Sequence, residues 1–284
     1  MKIIKKIGII GIVLCCIGLV LFSIGWMQGG GIESLNIQIS NDSWWPFKVN
    51  MKTFMNEEKT VVYEESFIPR QQLKVHVEKA SFEIRKGGTN KILLQNIEKK
   101  NIQMKAENQV LTVDVKGTKK NNQRVIMEVK DIDVIQTLSL DSSMGNSKVS
   151  DMNLEAIDVT SSMGNVELTR IISKTTNIHN ETGEIIVNDA MFYHTQLTNE
   201  MGNIEFHGDL YGKNEISCEM GNVTLQLERK EEAYTYDVNA SMGTVKVDDE
   251  EVIGNAAHIS YGTGDIDSLH IDCEMGNVEV MFAS

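Results

Sequence analysis

A glycine recurs along the second half of the chain at a nearly constant interval. Gly145, Gly164, Gly183, Gly202 and Gly221 stand 19 residues apart, and Gly243, Gly264 and Gly276 follow at steps of 22, 21 and 12. The residue before it is Met144, Met163, Met201, Met220, Met242 or Met275, with Thr182 and Thr263 in the other two copies. The residue after it is Asn146, Asn165, Asn203, Asn222 or Asn277, and elsewhere Glu184, Thr244 or Asp265. A fixed period near 20 residues is the mark of a repeat architecture, in which each unit buries its apolar face only against its neighbours.

The columns around the glycine define the unit. Five positions before it stand Leu140, Val159, Ile178, Leu197, Ile216, Val238, Ile259 and Ile271, all aliphatic. Two positions after it stand Val166, Ile185, Ile204, Val223, Val245, Ile266 and Val278, with Ser147 the exception. Four positions after it are Val149, Leu168, Val187, Phe206, Leu225, Val247 and Val280, with Ser268 breaking the column. This period-2 alternation predicts half-buried strands. The buried set sits at odd offsets upstream and at even offsets downstream. A two-residue Gly-Asn corner absorbs that shift, because Gly takes positive φ without a Cβ clash and Asn tolerates the left-handed region.

Two architectures fit. Gly-Asn is a hairpin-turn signal, which gives an antiparallel stack of β-hairpins. Alternatively the corner joins two sides of a solenoid rung, and rungs of equal length stack like on like at the ~4.8 Å strand spacing. The strict step favours an all-β, β-helix-like solenoid of roughly 19–22-residue repeats. The eight glycines are its predicted structural corners. Gly276 falls in the last rung along the chain, with one neighbour and an exposed edge, so its substitution is expected to cost less than that of Gly221.

The N-terminus reads differently. Lys2, Lys5 and Lys6 precede Ile7–Trp26, 20 residues without a charge. At ~1.5 Å per residue such a helix crosses the ~30 Å hydrocarbon core. The lysines place residues 1–6 in the cytoplasm, so 7–27 is a predicted anchor and everything after it lies outside. A cleaved signal peptide is the alternative, but the apolar run is long for one and no clear small-x-small site follows. Residues 28–70 read as a stalk holding both prolines, Pro46 and Pro69, and the pair Trp44–Trp45, expected to pack on the neighbouring domain. Residues 71–284 are the β domain, with leading strands over 71–136 and regular repeats over 137–284. The formal net charge of −13 excludes a nucleic-acid partner, which needs a basic face.

Little in the chain carries chemistry. Cys218 and Cys273 share a small-residue column three before the glycine, with Ser142, Ser161 and Ala240. Lying two or more rungs apart, they are expected to be buried and too distant for a disulfide. His258 and His270 share an outward offset, and the histidines show no His-x-His or His-x-x-x-His metal spacing. Asp131/Asp133 and Asp248 to Glu251 are paired acids, and parallel β-helices include polysaccharide-active enzymes. No catalytic, cofactor or metal-binding residue is assigned, however, because no fingerprint motif accompanies them. The Asn column is expected to hydrogen-bond to its like neighbours, and the Met column to fill the core.

An anchor followed by Glu64-Glu65-Ser66-Phe67, Leu73-Lys74-Val75-His76-Val77 and Ala80-Ser81-Phe82-Glu83-Ile84, then serial Met-Gly-Asn-Val and Thr-Gly-Asp-Ile units, resembles the bacterial adhesin-like β-strand-repeat family, a domain of unknown function found in LiaG-like envelope proteins. The resemblance covers roughly residues 60–284. It implies an extracytoplasmic β-helix-like domain in a Gram-positive envelope, with no enzymatic residues. Its expected role is as an interaction module for an envelope protein or wall polymer. A self-assembling scaffold with weak self-association is the alternative.

Overall fold

The computed structural model describes residues 36–39, 47–50, 62–262 and 267–284. The predicted anchor, Trp44–Trp45 and Gly264 lie outside the described residues. Among those described, no helix is long and apolar enough to cross a membrane. The chain divides into units 1–60 and 61–284. In the first, β1 (Asn36–Ile39) and β2 (Phe47–Asn50) pair antiparallel.

The second unit begins with β3 (Val62–Ser66), β4 (Gln72–Val77), β5 (Ser81–Lys86), β6 (Lys91–Gln95), β7 (Ile102–Glu107), β8 (Val110–Val115), β9 (Arg124–Val129) and β10 (Thr137–Ser142). The regular repeats follow as β11 (Ser147–Ser161), β12 (Val166–Thr182), β13 (Ile185–Met201), β14 (Ile204–Met220) and β15 (Val223–Leu227). It ends with β16 (Tyr234–Val247), β17 (Glu250–Tyr261), β18 (Asp267–Met275) and β19 (Val278–Met281). Thus β3, which falls within the predicted stalk, is a strand of the β domain, paired with β6.

The repeats are rungs of a parallel solenoid. Val166 pairs with Ile185, Ile185 with Ile204, and Ile204 with Val223, one repeat apart each time. The hairpin stack is excluded for this region. The aliphatic columns at five before, two after and four after the glycine stack inside: Ile178, Leu197 and Ile216, Ile185 and Ile204, Leu168 and Val187 are all buried. Ser147, which breaks its column, is buried as well. Each long strand bends again at Asp151, Arg170 and Asp189, where φ is 61°, 54° and 53°. Arg170 bridges this second corner by donating Nε and Nη2 to the two carboxylate oxygens of Asp151, at 2.6 and 3.0 Å.

The first corner is set by backbone contact between rungs. The corner glycines take φ from 127° at Gly145 to 155° at Gly243. A Cβ added at Gly202 would lie 2.0 Å from the carbonyl oxygen of Gly183, and one at Gly221 would lie 2.0 Å from that of Gly202. Glycine is therefore required twice over, by the dihedral and by the approach of the next rung.

The same contact reveals an order that the sequence does not follow. A Cβ on Gly276 would meet Gly221 O at 1.8 Å, and one on Gly243 would meet Gly276 O at 1.8 Å. Strand β18 pairs parallel with β14 on one side and β16 on the other, and β19 lies between β15 and β16. The C-terminal rung is thus inserted between the rungs of Gly221 and Gly243. This corrects the expectation that Gly276 has one neighbour. It also corrects the spacing of Cys218 and Cys273, which are in-register partners on adjacent strands, both buried free thiols. The stack ends instead at β17, antiparallel to β16. At its other end β7 runs antiparallel to β8, and β6 antiparallel to β9.

With two neighbours each, Gly221→Val and Gly276→Val are expected to destabilise the domain to a similar extent. Each carries about 1–3 kcal/mol of backbone strain before the contact with the neighbouring carbonyl is counted. Thermal unfolding of the two variants checks this. A clearly smaller loss for Gly276→Val would contradict the inserted rung.

Candidate functional site

The outer edge at the glycine corner carries two ladders. The Asn side chains accept hydrogen bonds from the backbone of the next rung: Asn165 N donates to Asn146 Oδ1, Asn222 N to Asn203 Oδ1, and Asn277 N to Asn222 Oδ1, at 2.9–3.0 Å. Glu184 N and Thr244 N use Asn165 and Asn277 in the same way. The expected bonding between like neighbours holds, with backbone N–H rather than side-chain amide as donor. These bonds satisfy corner donors that the strand ladder leaves unpaired.

The methionines are not in the core. Met144, Met163, Met201, Met220, Met242 and Met275 are 37–53% exposed. The reason is the length of the corner. Cys218 and Val223 are buried, while Glu219 and Met220 are both exposed, so the chain leaves strand alternation at Met220, one residue before Gly221. The small-residue column does point inward: Ser142, Ser161, Asn180, Asn199, Cys218 and Cys273 are all buried. Asn180 donates to Asn199 Oδ1 at 3.2 Å, and Asn199 donates to the carbonyls of Gly183 and Asn203. Cys218 Sγ and Cys273 Sγ donate to the carbonyls of Gly202 and Gly221. Hydrogen bonding to Cys273, then burial, push the Cys218 thiol up, so it stays protonated and inert.

An open cleft of about 520 Å³ runs beside the Asn corner, lined by Glu83, Gln123, Arg124, Asn146, Lys148 and Glu167 among others. Its charges are already paired. Glu83 accepts from Arg85 at 2.7 Å and from Arg124, and Lys148 bonds Glu167 on the adjacent rung. Next to it, hydrogen bonding from Arg85 holds Glu128 below the usual carboxylate range.

The paired acids lie elsewhere: Asp131 and Asp133 are exposed, as are Asp248, Asp249, Glu250 and Glu251 around the β16–β17 turn. His258 and His270 face outward as expected, against Asp237 and Asp272. One grouping is not visible from sequence spacing. His207 Nδ1 lies 3.3 Å from Asp189 and Nε2 lies 3.8 Å from Glu228. The imidazole thus stands between two carboxylates at the second corner. Beside it, Asp209 is buried with one carboxylate oxygen unpartnered. Burial first, then Glu228, raise its pKa.

A carboxyl raised in the folded state holds its proton more tightly there than in the unfolded chain. Its stabilising effect is full below the unfolded value of about 3.9 and is lost as pH rises through the folded value. Asp209→Asn is therefore expected to gain stability relative to the parent as pH rises across that window. Paired melting curves from acid to neutral pH check it. A difference that stays flat with pH would contradict the assignment.

Residues 127–280, more than half of the chain, match the family described as Toastrack DUF4097. Three solved structures are similar at low identity. One is a candidate cell adhesion protein from Clostridium sporogenes ATCC 15579, with 16% identity, TM-score 0.37, and coverage of 78% of this chain and 99% of that one. Another is a candidate adhesin from Bacteroides fragilis NCTC 9343, with 11% identity, TM-score 0.40, and coverage of 78% and 97%. The third is a candidate adhesin from Parabacteroides distasonis ATCC 8503, with 12% identity, TM-score 0.31, and coverage of 77% and 96%. No curated protein matches the chain. By the match over its repeats, the chain belongs to the Toastrack DUF4097 family.

Proposed function

We propose that the chain is a membrane-anchored, extracytoplasmic interaction module, adhesin-like and not an enzyme, that binds an envelope protein or wall polymer. The cleft beside the Asn corner is the observation that carries this reading. Its polar groups recur at the rung step, Asn146 with Asn165 and Lys148 with Glu167. Asn146 and Asn165 thus present an extended polymer with the same side chain at two positions ~4.8 Å apart, beside the Lys148–Glu167 pair. Its ionisable groups neutralise one another, whereas an acid or base catalyst needs a group poised to exchange a proton. The anchor reading rests on the uncharged span Ile7–Trp26 behind three lysines.

The scaffold reading has one observation in its favour: β17 is an edge strand, with Ile253 75% exposed. Against it, Asp248, Asp249, Glu250 and Glu251 crowd the turn beside that edge, and charge on an edge discourages end-to-end pairing. The full chain in detergent is therefore expected to sediment as a non-filamentous species at all concentrations.

Expressed in a Gram-positive host, the full chain should lose its repeats when intact protoplasts are treated with protease. Protection, or release of the domain into the medium, would overturn the topology. In detergent it should co-sediment with purified wall sacculi or with solubilised envelope protein. Lys148→Glu should weaken that binding at least about fivefold, the scale of losing one significant interface contact. No binding to either, or binding indifferent to Lys148→Glu, would overturn the assigned cleft.

A further inference from the structure

The corner does not require methionine. Thr182 precedes Gly183, whose φ of 133° and 2.2 Å approach to the Gly164 carbonyl match the methionine-bearing copies. A polar residue thus serves the same turn. Yet Met201, Met220, Met275 and Met242 occupy four successive rungs, paired in register Met201 to Met220, Met220 to Met275 and Met275 to Met242. Parallel neighbours lie about 4.8 Å apart, so four exposed thioethers line one edge of the solenoid without a gap.

A second ladder runs beside them. Glu200, Glu219 and Glu274 immediately precede Met201, Met220 and Met275. Like charges on adjacent strands repel. Among the described residues no lysine or arginine pairs with these three carboxylates, and only His179, 3.5 Å from Glu200, approaches one of them. The inserted C-terminal rung builds both ladders, because it sets the Glu274-Met275 copy directly against Glu219-Met220.

We propose that this edge binds a soft monovalent cation, Cu(I) or Ag(I), through the thioether sulfurs of three consecutive rungs, Met201, Met220 and Met275. Thioethers are soft donors that select Cu(I) over Ca²⁺ or Mg²⁺. The unbranched methionine side chain, with three rotatable bonds, can turn along the stack. Sulfurs from neighbouring rungs can therefore converge on one ion. The carboxylate ladder supplies countercharge and a local field that concentrates cations. Binding involves no proton or electron transfer, and exposure lets the ion enter without opening the core.

The test uses the full-length chain in lipid nanodiscs. Cu(I), held reduced under anaerobic conditions, is competed between the protein and a chromogenic Cu(I) chelator, with Ag(I) as an air-stable parallel. The parent chain is expected to withdraw one ion per solenoid from the chelator. The triple variant Met201→Leu/Met220→Leu/Met275→Leu conserves side-chain volume at exposed sites and should remain folded. Its affinity should fall by more than about 100-fold, beyond the 10–100-fold that changes outside the ligand set produce. Glu200→Gln/Glu219→Gln/Glu274→Gln should weaken binding less. Cys218→Ala/Cys273→Ala should bind as the parent does. Failure of the parent to compete, undiminished binding by the leucine variant, or loss of binding in the cysteine variant would each overturn the proposal.

Discussion

The carbonyl of each corner glycine occupies the space where the next rung's glycine would otherwise carry a Cβ. Approaches of 1.8–2.3 Å recur from Gly145, set against Ala80, through Gly164, Gly183, Gly202, Gly221 and Gly276 to Gly243. The rest of the solenoid depends on this closeness. It lets equal rungs lie in register, so that aliphatic columns stack like on like. It also brings each Asn carboxamide within reach of the next rung's backbone N–H. The corner thus links one missing methyl group to a continuous core and a satisfied edge.

The rung order makes the fold less local than its repeats suggest. The rung of Gly221 gains its upper neighbour only 55 residues later, when Ile216 meets Ile271 and Val223 meets Val278. Between them the chain lays down β16 and turns it back antiparallel as β17. The C-terminal rung then enters beside β16. Such non-local pairing costs loop-closure entropy before it yields contacts. Both ends of the parallel stack finish in antiparallel strands, which break the periodicity that a further rung would need.

Much of this was legible in the glycine spacing. Period and alternation together specify a β-solenoid and name its corners and inward columns, because each rung repeats the same physical task. The methionines were not legible in that way. Strand alternation, carried one residue too far, places Met220 inside, whereas the corner already turns that side chain outward. The inserted rung was hidden because Val278 stacks on Val223 as readily as Val223 does on Ile204, so column identity does not record which rung lies next. That is also why Cys218 and Cys273 read as distant when they are neighbours. The second corner has no sequence signature because Asp151, Arg170 and Asp189 share a φ of 53–61° rather than a residue type. The polar cleft joins Glu83 and Arg124 to Asn146 and Lys148, segments that only the stacking of β5 between β9 and β11 brings together.

The most direct test separates carbonyl contact from backbone conformation. Gly254 takes φ 133°, within the range of the corner glycines, but has no heavy atom within 4 Å of an added Cβ. Gly221 has φ 151° and a carbonyl oxygen at 2.0 Å. Gly221→Ala and Gly254→Ala compared by denaturant unfolding isolate the contact between rungs. Gly254→Ala is expected to cost no more than the roughly 1–3 kcal/mol of an unfavourable dihedral, while Gly221→Ala costs clearly more. Equal losses would mean that the dihedral alone, and not the approach of one rung to the next, makes glycine necessary.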